Sequence, residues 1–247
     1  MVAQNGAARV AELVERFGVH AATIRRDLKV LEEQGAVQRV HGGAVAPEAG
    51  IGRAVAETRI SGKNLVSGPG TQEARIGQAV AEMITDGETI FLGPGRLPLE
   101  VARRLAARSR LTVVTNGLEA ANWVAANTPH TLIVTGGQAE GRDLGLVGQL
   151  TRAALSSLRA DHVILELGGI SAVGGLTGDS LPQAEIARLL LEVGSQVIVL
   201  VPAERVGRVA AAYIAPASDA DVVVTAREAP SPFLWDLSES GVRVVLA

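Results

Sequence analysis

Residues 20–45 read HAATIRRDLKVLEEQGAVQRVHGGAV. Ile24, Leu28 and Leu31 recur at i, i+4 and i+7, the spacing of one buried helix face. Thr23, Arg25 and Arg26 then point outward near the helix start, with Lys29 a turn later. Gly35 is placed to end the helix. AVQRV–HGG–AV alternates around a glycine-rich turn, the pattern of a hairpin. Immediately upstream, Val10, Leu13, Val14 and Phe17 stand at i, i+3, i+4 and i+7, and Gly18 follows as a stop. Two short helices joined by a glycine turn, with hydroxyl and basic residues early in the second and a basic hairpin behind, make a winged helix-turn-helix layout. An arginine early in such a helix forks onto guanine O6 and N7 or clamps a phosphate. Arg39 and His41 on the hairpin are placed for phosphate or the minor groove. A solvated charged helix is the plainer reading, and Asp27, Glu32 and Glu33 fit it. The order of the elements favours DNA.

The rest of the chain sets the context. Of its 247 residues, 47% are hydrophobic and only 2% aromatic, so the core must be Val, Leu, Ile and Ala. The net charge is −3, which excludes a globally basic protein and leaves a local patch as the source of any nucleic-acid contact. Residues 1–45 carry +1 and the remainder −4, the sign expected of a DNA-facing head on an acidic body. There is no cysteine, which excludes disulfides, thiolate metal sites and a cysteine nucleophile, and fits a cytoplasmic location. No apolar run is long enough to span a membrane, and MVAQNGAARVAEL lacks the apolar stretch of a signal peptide.

Three segments follow from the patterning: a head at 1–45, a Gly-, Ala-, Ser- and Pro-rich linker at 46–71, and a body at 72–247. In the body, helical patterns such as EARIGQAVAEMI and LPLEVARRLAAR alternate with short β-branched runs such as ETIFL, LTVVT, DHVILELGG and QVIVLVP. Alternation of this kind predicts an α/β fold with βαβ units around a largely parallel sheet. The continuous apolar strands imply helices on both faces. The turn IFLGPGRLPLEVA brings Gly93, Gly95 and Arg96 to a strand-to-helix junction, where backbone N–H groups, the helix N-terminus and a guanidinium suit an anion. A plain strand-to-helix turn is the competing reading. GPGRLP lacks the third glycine of a dinucleotide fingerprint. Further glycine and amide turns at Asn116, Gly136, Gly137 and Gly168, with Arg205 beyond, fall at strand ends, where open α/β sheets bind ligands. His20 and His41 lie in the head and His130 and His162 flank strands, so no metal cluster is expected, nor any cofactor.

The run VAELVERFGVHAATIRRDLKVLEEQGAVQRVHGGAV resembles the winged helix-turn-helix of the DeoR family of bacterial transcriptional regulators. TIRRDL, the Leu-Glu pair, the glycine and RVHGGA form its distinctive part. The body is similar to that family's effector domain, whose fold is similar to ribose-5-phosphate isomerase and CoA-transferase-like proteins. The resemblance implies a cytoplasmic DNA-binding regulator, a repressor of carbohydrate-related genes relieved by a phosphorylated sugar or other small anionic metabolite, and acting as a homo-oligomer. It assigns DNA contact to His20, Thr23, Arg25, Arg26, Lys29, Arg39 and His41. Effector contact falls to Gly93, Gly95, Arg96, Asn116, Gly136, Gly137, Gly168 and Arg205. Three departures stand out. His20 replaces a capping serine. The helix that precedes RVAEL in the family has little room before it here. And the family's D-x-G-T-T-T loop has become Gly93, Pro94, Gly95, Arg96, Leu97 and Pro98, without its acid or threonines. A different ligand, an anion held by Arg96 and Arg205, or loss of effector binding each accounts for the last. The alternatives in function are an isomerase-like enzyme, with Glu166, Asp179 or Glu185 as its acid, or an effector-binding protein whose head does not read DNA.

Overall fold

The computed structural model describes residues 7–33, 38–40, 43–45 and 70–247. The chain forms two compact units, 1–64 and 65–247.

In the first unit, strand β1 (Ala7–Arg9) leads into helix α1 (Val10–Phe17), followed by α2 (Ala21–Glu33), β2 (Gln38–Val40) and β3 (Gly43–Val45). The left-handed backbone of Gly18 (φ +63) ends α1, and its N–H donates to the Val14 carbonyl at 2.9 Å. The His20 carbonyl then starts α2 by accepting from Thr23 N and Ile24 N, at 2.9 and 3.2 Å. The helices bury Leu13, Ile24 and Leu28 between them, flanked by Val10 and Val14. Phe17 and Leu31, expected on the same face, are instead 60% and 38% exposed. Each lies one turn beyond the packed residues of its helix. β2 and β3 pair antiparallel with Arg39 opposite Ala44, which is the expected hairpin. β1 adds to its far side, with Ala8 also opposite Ala44. Nothing in Ala-Ala-Arg signals a strand; pairing with β3 imposes it. Gly35, His41 and the stretch 46–69, with them most of the expected linker, lie outside the described residues.

The second unit opens with Thr71, whose hydroxyl caps α3 (Gln72–Ala81) by accepting from Ala74 N. Next come β4 (Thr89–Leu92), α4 (Arg96–Leu105), β5 (Thr112–Thr115), α5 (Leu118–Asn127) and β6 (Thr131–Val134). A hairpin, β7 (Gln138–Glu140) and β8 (Gly145–Val147), leads to α6 (Gln149–Ser156). Then follow β9 (Ala160–Glu166), β10 (Gly169–Ser171), β11 (Gly175–Gly178), α7 (Leu181–Leu191) and β12 (Gly194–Leu200). The unit ends with β13 (Ala212–Ala215), β14 (Val222–Thr225), α8 (Ser231–Glu239) and β15 (Arg243–Leu246).

Seven strands form one sheet in the order β15-β14-β12-β9-β4-β5-β6, and every pairing in it is parallel. Side chains alternate between two cores. Ile90, Leu92, Ile164 and Ile198 face α3 and α4 through Ile76, Val80, Val101 and Leu105. Phe91, Val163, Leu165 and Val199 face the other side, where Leu155 of α6, Ile186 and Leu190 of α7 and Leu237 of α8 cover them. Burial on both faces explains why these strands read as unbroken apolar runs. A second sheet, β10-β11-β13, is antiparallel, as is the β7–β8 hairpin. Neither of these two, nor α8, was expected from the patterning.

Candidate functional site

The sheet order fixes where a ligand fits. From β4 the chain winds outward through β5 and β6, then returns to β9 on the other side of β4 and winds the opposite way through β12. The carboxyl ends of β4 and β9 therefore bound the crevice at a topological switch point. A cleft of about 120 Å³ opens there, lined among others by Pro94, Asn116, Glu166, Gly168, Asp179 and Arg205.

Each lining group is held by its loop. Beyond β5, the Thr115 hydroxyl donates to the Leu92 carbonyl and accepts from Gly117 N, tying this turn to the end of β4. Pro94 packs onto the turn so closely that a Cβ at Gly117 would lie 3.0 Å from its Cα. Asn116 is only 2% exposed; its Nδ2 donates to the Leu146 carbonyl at 3.0 Å, and its Oδ1 has no hydrogen-bond partner. A buried acceptor without a donor costs on the order of 1–3 kcal/mol, so a ligand donor at this atom would be favoured.

Glu166, the last residue of β9, reaches across to α4. Its Oε2 accepts from Leu97 N at 2.9 Å, at the helix N-terminus, and its Oε1 accepts from Arg205 Nη1 at 3.3 Å. Arg205, at the end of a short 3-10 turn (Ala203–Arg205), also donates to the Leu167 carbonyl at 3.1 Å. Burial pushes the Glu166 carboxyl above its ordinary range, and the Leu97 amide and Arg205 only partly pull it back. Asp179 behaves oppositely. Arg208 holds it by two bonds, at 2.6 and 3.2 Å, and keeps its carboxyl below the usual range. Arg208 also donates to the Gly168 carbonyl.

The structure thus brings Asn116, Gly168 and Arg205 together at the cleft. Arg96 has its side chain 65% exposed and pairs with Glu73 of α3 at 3.2 Å. Gly93 donates its N–H to the Ile164 carbonyl. Gly95, with φ +127, is where Glu166 comes closest: a Cβ there would stand 2.5 Å from Oε2. Gly136 and Gly137 form the turn after β6, where the Thr151 hydroxyl donates to the Gly136 carbonyl at 2.7 Å. They brace the start of α6 and are not among the residues lining the cleft. Of the three acids weighed from sequence, Glu166 and Asp179 line the cleft, while Glu185 pairs with Arg152. Sequence reasoning passed over Asp143, Gln183 and Arg208. Only the GLTGD run, a glycine turn ending in an acid, hinted at this side of the cleft. No group of three or more His, Cys, Asp or Glu side chains able to hold a metal occurs among the described residues.

In the first unit, Thr23, Arg26 and Lys29 are exposed, at i, i+3 and i+6 along α2, opposite the buried Ile24 and Leu28. His20 is exposed just before the helix. Arg39 sits in β2. The side chains of Arg25 and Arg39, and all of His41, lie outside the described residues. No helix among the described residues is long and apolar enough to cross a membrane.

Two family models match. The DeoR-like helix-turn-helix domain matches residues 1–49, and the DeoR C-terminal sensor domain matches 70–227. A glycerol-3-phosphate regulon repressor of Escherichia coli (strain K12) is 33% identical over 94% of this chain and 88% of its own length. A protein of the same name from Haemophilus influenzae is 30% identical over 100% of this chain and 93% of its own. Among solved structures, ribose 5-phosphate isomerase A from Methanocaldococcus jannaschii aligns with a TM-score of 0.40 at 12% identity, over 54% of this chain and 52% of that one. With a helix-turn-helix match at one end and a sensor-domain match over most of the rest, the chain belongs to the DeoR family of transcriptional regulators.

Proposed function

We propose that this chain is a transcriptional repressor whose first unit binds operator DNA and whose α/β unit senses a small phosphorylated, hydroxylated metabolite that relieves repression. One observation carries this reading. The chain that presents Thr23, Arg26 and Lys29 on an exposed helix face also holds a switch-point cleft with Arg205, a helix N-terminus and the unpartnered Asn116 Oδ1. Arg205 and the α4 N-terminus suit an anionic group. Asn116 Oδ1 suits a hydroxyl. Its relatives are named as repressors of a glycerol-3-phosphate regulon, which points to the same ligand class. On DNA, Thr23, Arg25 and Arg26 enter the major groove, and His20, Lys29, Arg39 and His41 serve the backbone or the minor groove. Useful affinity requires two heads, hence a homo-oligomer, in the cytoplasm where the DNA is.

The same cleft does not suit an isomerase. That chemistry needs an acid and a base free to act at the substrate, and the two acids weighed that line this cleft, Glu166 and Asp179, are each held by an arginine, Arg205 and Arg208. We therefore assign no catalytic role. The test is fluorescence anisotropy of the full chain on labelled DNA from just upstream of its own gene, with scrambled DNA beside it at physiological salt. Selective binding, released by a phosphorylated polyol or sugar, is the expected result. Equal binding to both DNAs would refute the regulator reading, because unspecific contacts fade steeply with salt.

A further inference from the structure

Two cationic features beside the cleft, the α4 N-terminus and Arg205, are already engaged by Glu166, while a third, Arg208, is held by Asp179. The engagement is close. Glu166 Oε2 lies where a Cβ at residue 95 would be 2.5 Å away, so only glycine leaves room for it. Its side chain is 12% exposed. A carboxylate and a phosphate seek the same partners, an amide N–H at a helix start and a guanidinium. Two anions cannot share that corner once water is gone. Asn116 supplies an independent sign that the cleft is built for a ligand. It is 2% exposed, lines the same cleft, and its Oδ1 has no partner.

Resting on the effector reading above, we propose that Glu166 is a specificity-determining residue: an internal anion that a ligand's charged group must displace from Leu97 N and Arg205. A ligand carboxylate only exchanges one monoanion for another and has little to gain. A phosphate monoester brings nearly twice the charge and three acceptor oxygens, so it displaces Glu166 where a carboxylate does not. The cleft therefore selects phosphate monoesters of hydroxylated skeletons over sugar acids. Asn116 Oδ1 takes one of the ligand's hydroxyls.

The experiment is titration calorimetry of the full-length chain with inorganic phosphate, comparing wild type with Glu166→Ala, Glu166→Gln and Glu185→Gln. Glu185 carries the same charge but pairs with Arg152 and does not line the cleft. Removing the internal competitor should tighten phosphate binding roughly tenfold in Glu166→Ala, the scale of one charge-assisted hydrogen bond, and less in Glu166→Gln. Glu185→Gln should bind as wild type does. If Glu166→Ala does not fold, Glu166→Gln decides, since it keeps the side chain's size and an oxygen for Leu97 N. Phosphate affinity in the Glu166 variants equal to or below that of wild type would overturn the proposal and leave the effector reading standing. So would an equal gain in Glu185→Gln. Folded variants that all fail to bind phosphate would overturn both.

Discussion

Gly95 shows how one residue can serve a contact made far along the chain. Its φ of +127 lies in the left-handed half of the map, and the missing Cβ makes room for the Glu166 carboxylate. Gly95→Ala should therefore cost about 1–3 kcal/mol of unfolding free energy from backbone strain alone, with the carboxylate clash added. Urea denaturation measures this, and an unchanged midpoint would mean that neither constraint holds. Glu166 gives a second prediction, in pH. Burial raises its carboxyl above the ordinary range. A carboxyl raised on folding binds its proton more tightly in the folded state. Its contribution is thus fullest below the unfolded glutamate's range and is lost as pH rises through the folded value. Glu166→Gln lacks this group. Wild type should accordingly lose stability relative to Glu166→Gln as pH rises above the ordinary glutamate range, in urea unfolding at a series of pH values. A constant difference would place the carboxylate in a better-compensated environment than its burial implies.

At the scale of elements, the proposed DNA reading rests on α2. Its inner face rests on the three-residue cluster Leu13, Ile24 and Leu28, and its outer face offers Thr23, Arg26 and Lys29. Arg26→Ala should weaken operator binding by about 1–3 kcal/mol if it reads a base, and should narrow the gap between operator and scrambled DNA. Anisotropy at physiological salt checks this, and unchanged affinity would remove Arg26 from the groove. The helices other than α8, and the seven parallel strands, were legible in the sequence because buried apolar runs and helical spacing are local signals. Of the remaining strands, only the β2–β3 hairpin was. β1 is Ala-Ala-Arg, and β10 and β11 are GIS and GLTG, each held by partners distant in sequence. The candidate site divides the same way. Strand-end turns at Asn116 and Gly168 were visible as motifs. Glycines and a helix start at 93–98 do mark a place where an anion approaches. That the anion present is Glu166, 69 residues from Leu97, depends on β9 lying beside β4, which no short motif reports.

For the whole molecule, the contacts proposed for one head are too few to hold an operator alone. One recognition helix and one short hairpin reach only a few base pairs, and the chain's net charge of −3 gives no general attraction to phosphate. On the proposed reading, selective repression takes two heads engaged at once. When they are joined in one assembly, the second contact is made at high effective concentration and gains on the order of 10²–10⁴ in avidity. The geometry of such a pair is unforgiving, because half-sites must face the protein on the same side of the duplex, about one helical turn or a multiple apart. Inserting roughly half a turn, about 5 base pairs, between the half-sites of the operator should thus reduce affinity to that of a single half-site, while a full turn costs less. Gel shift with these three spacings reads the effect directly. Equal binding to all three would mean that the heads act singly. The effector reading constrains the same experiment. A ligand in the α/β unit can release the operator only by binding more tightly to the arrangement of heads that does not fit the DNA, and operator and ligand must then weaken each other by the same factor. Phosphate esters that release the correctly spaced operator should leave single half-site affinity almost unchanged, since no contact between one head and DNA has been altered.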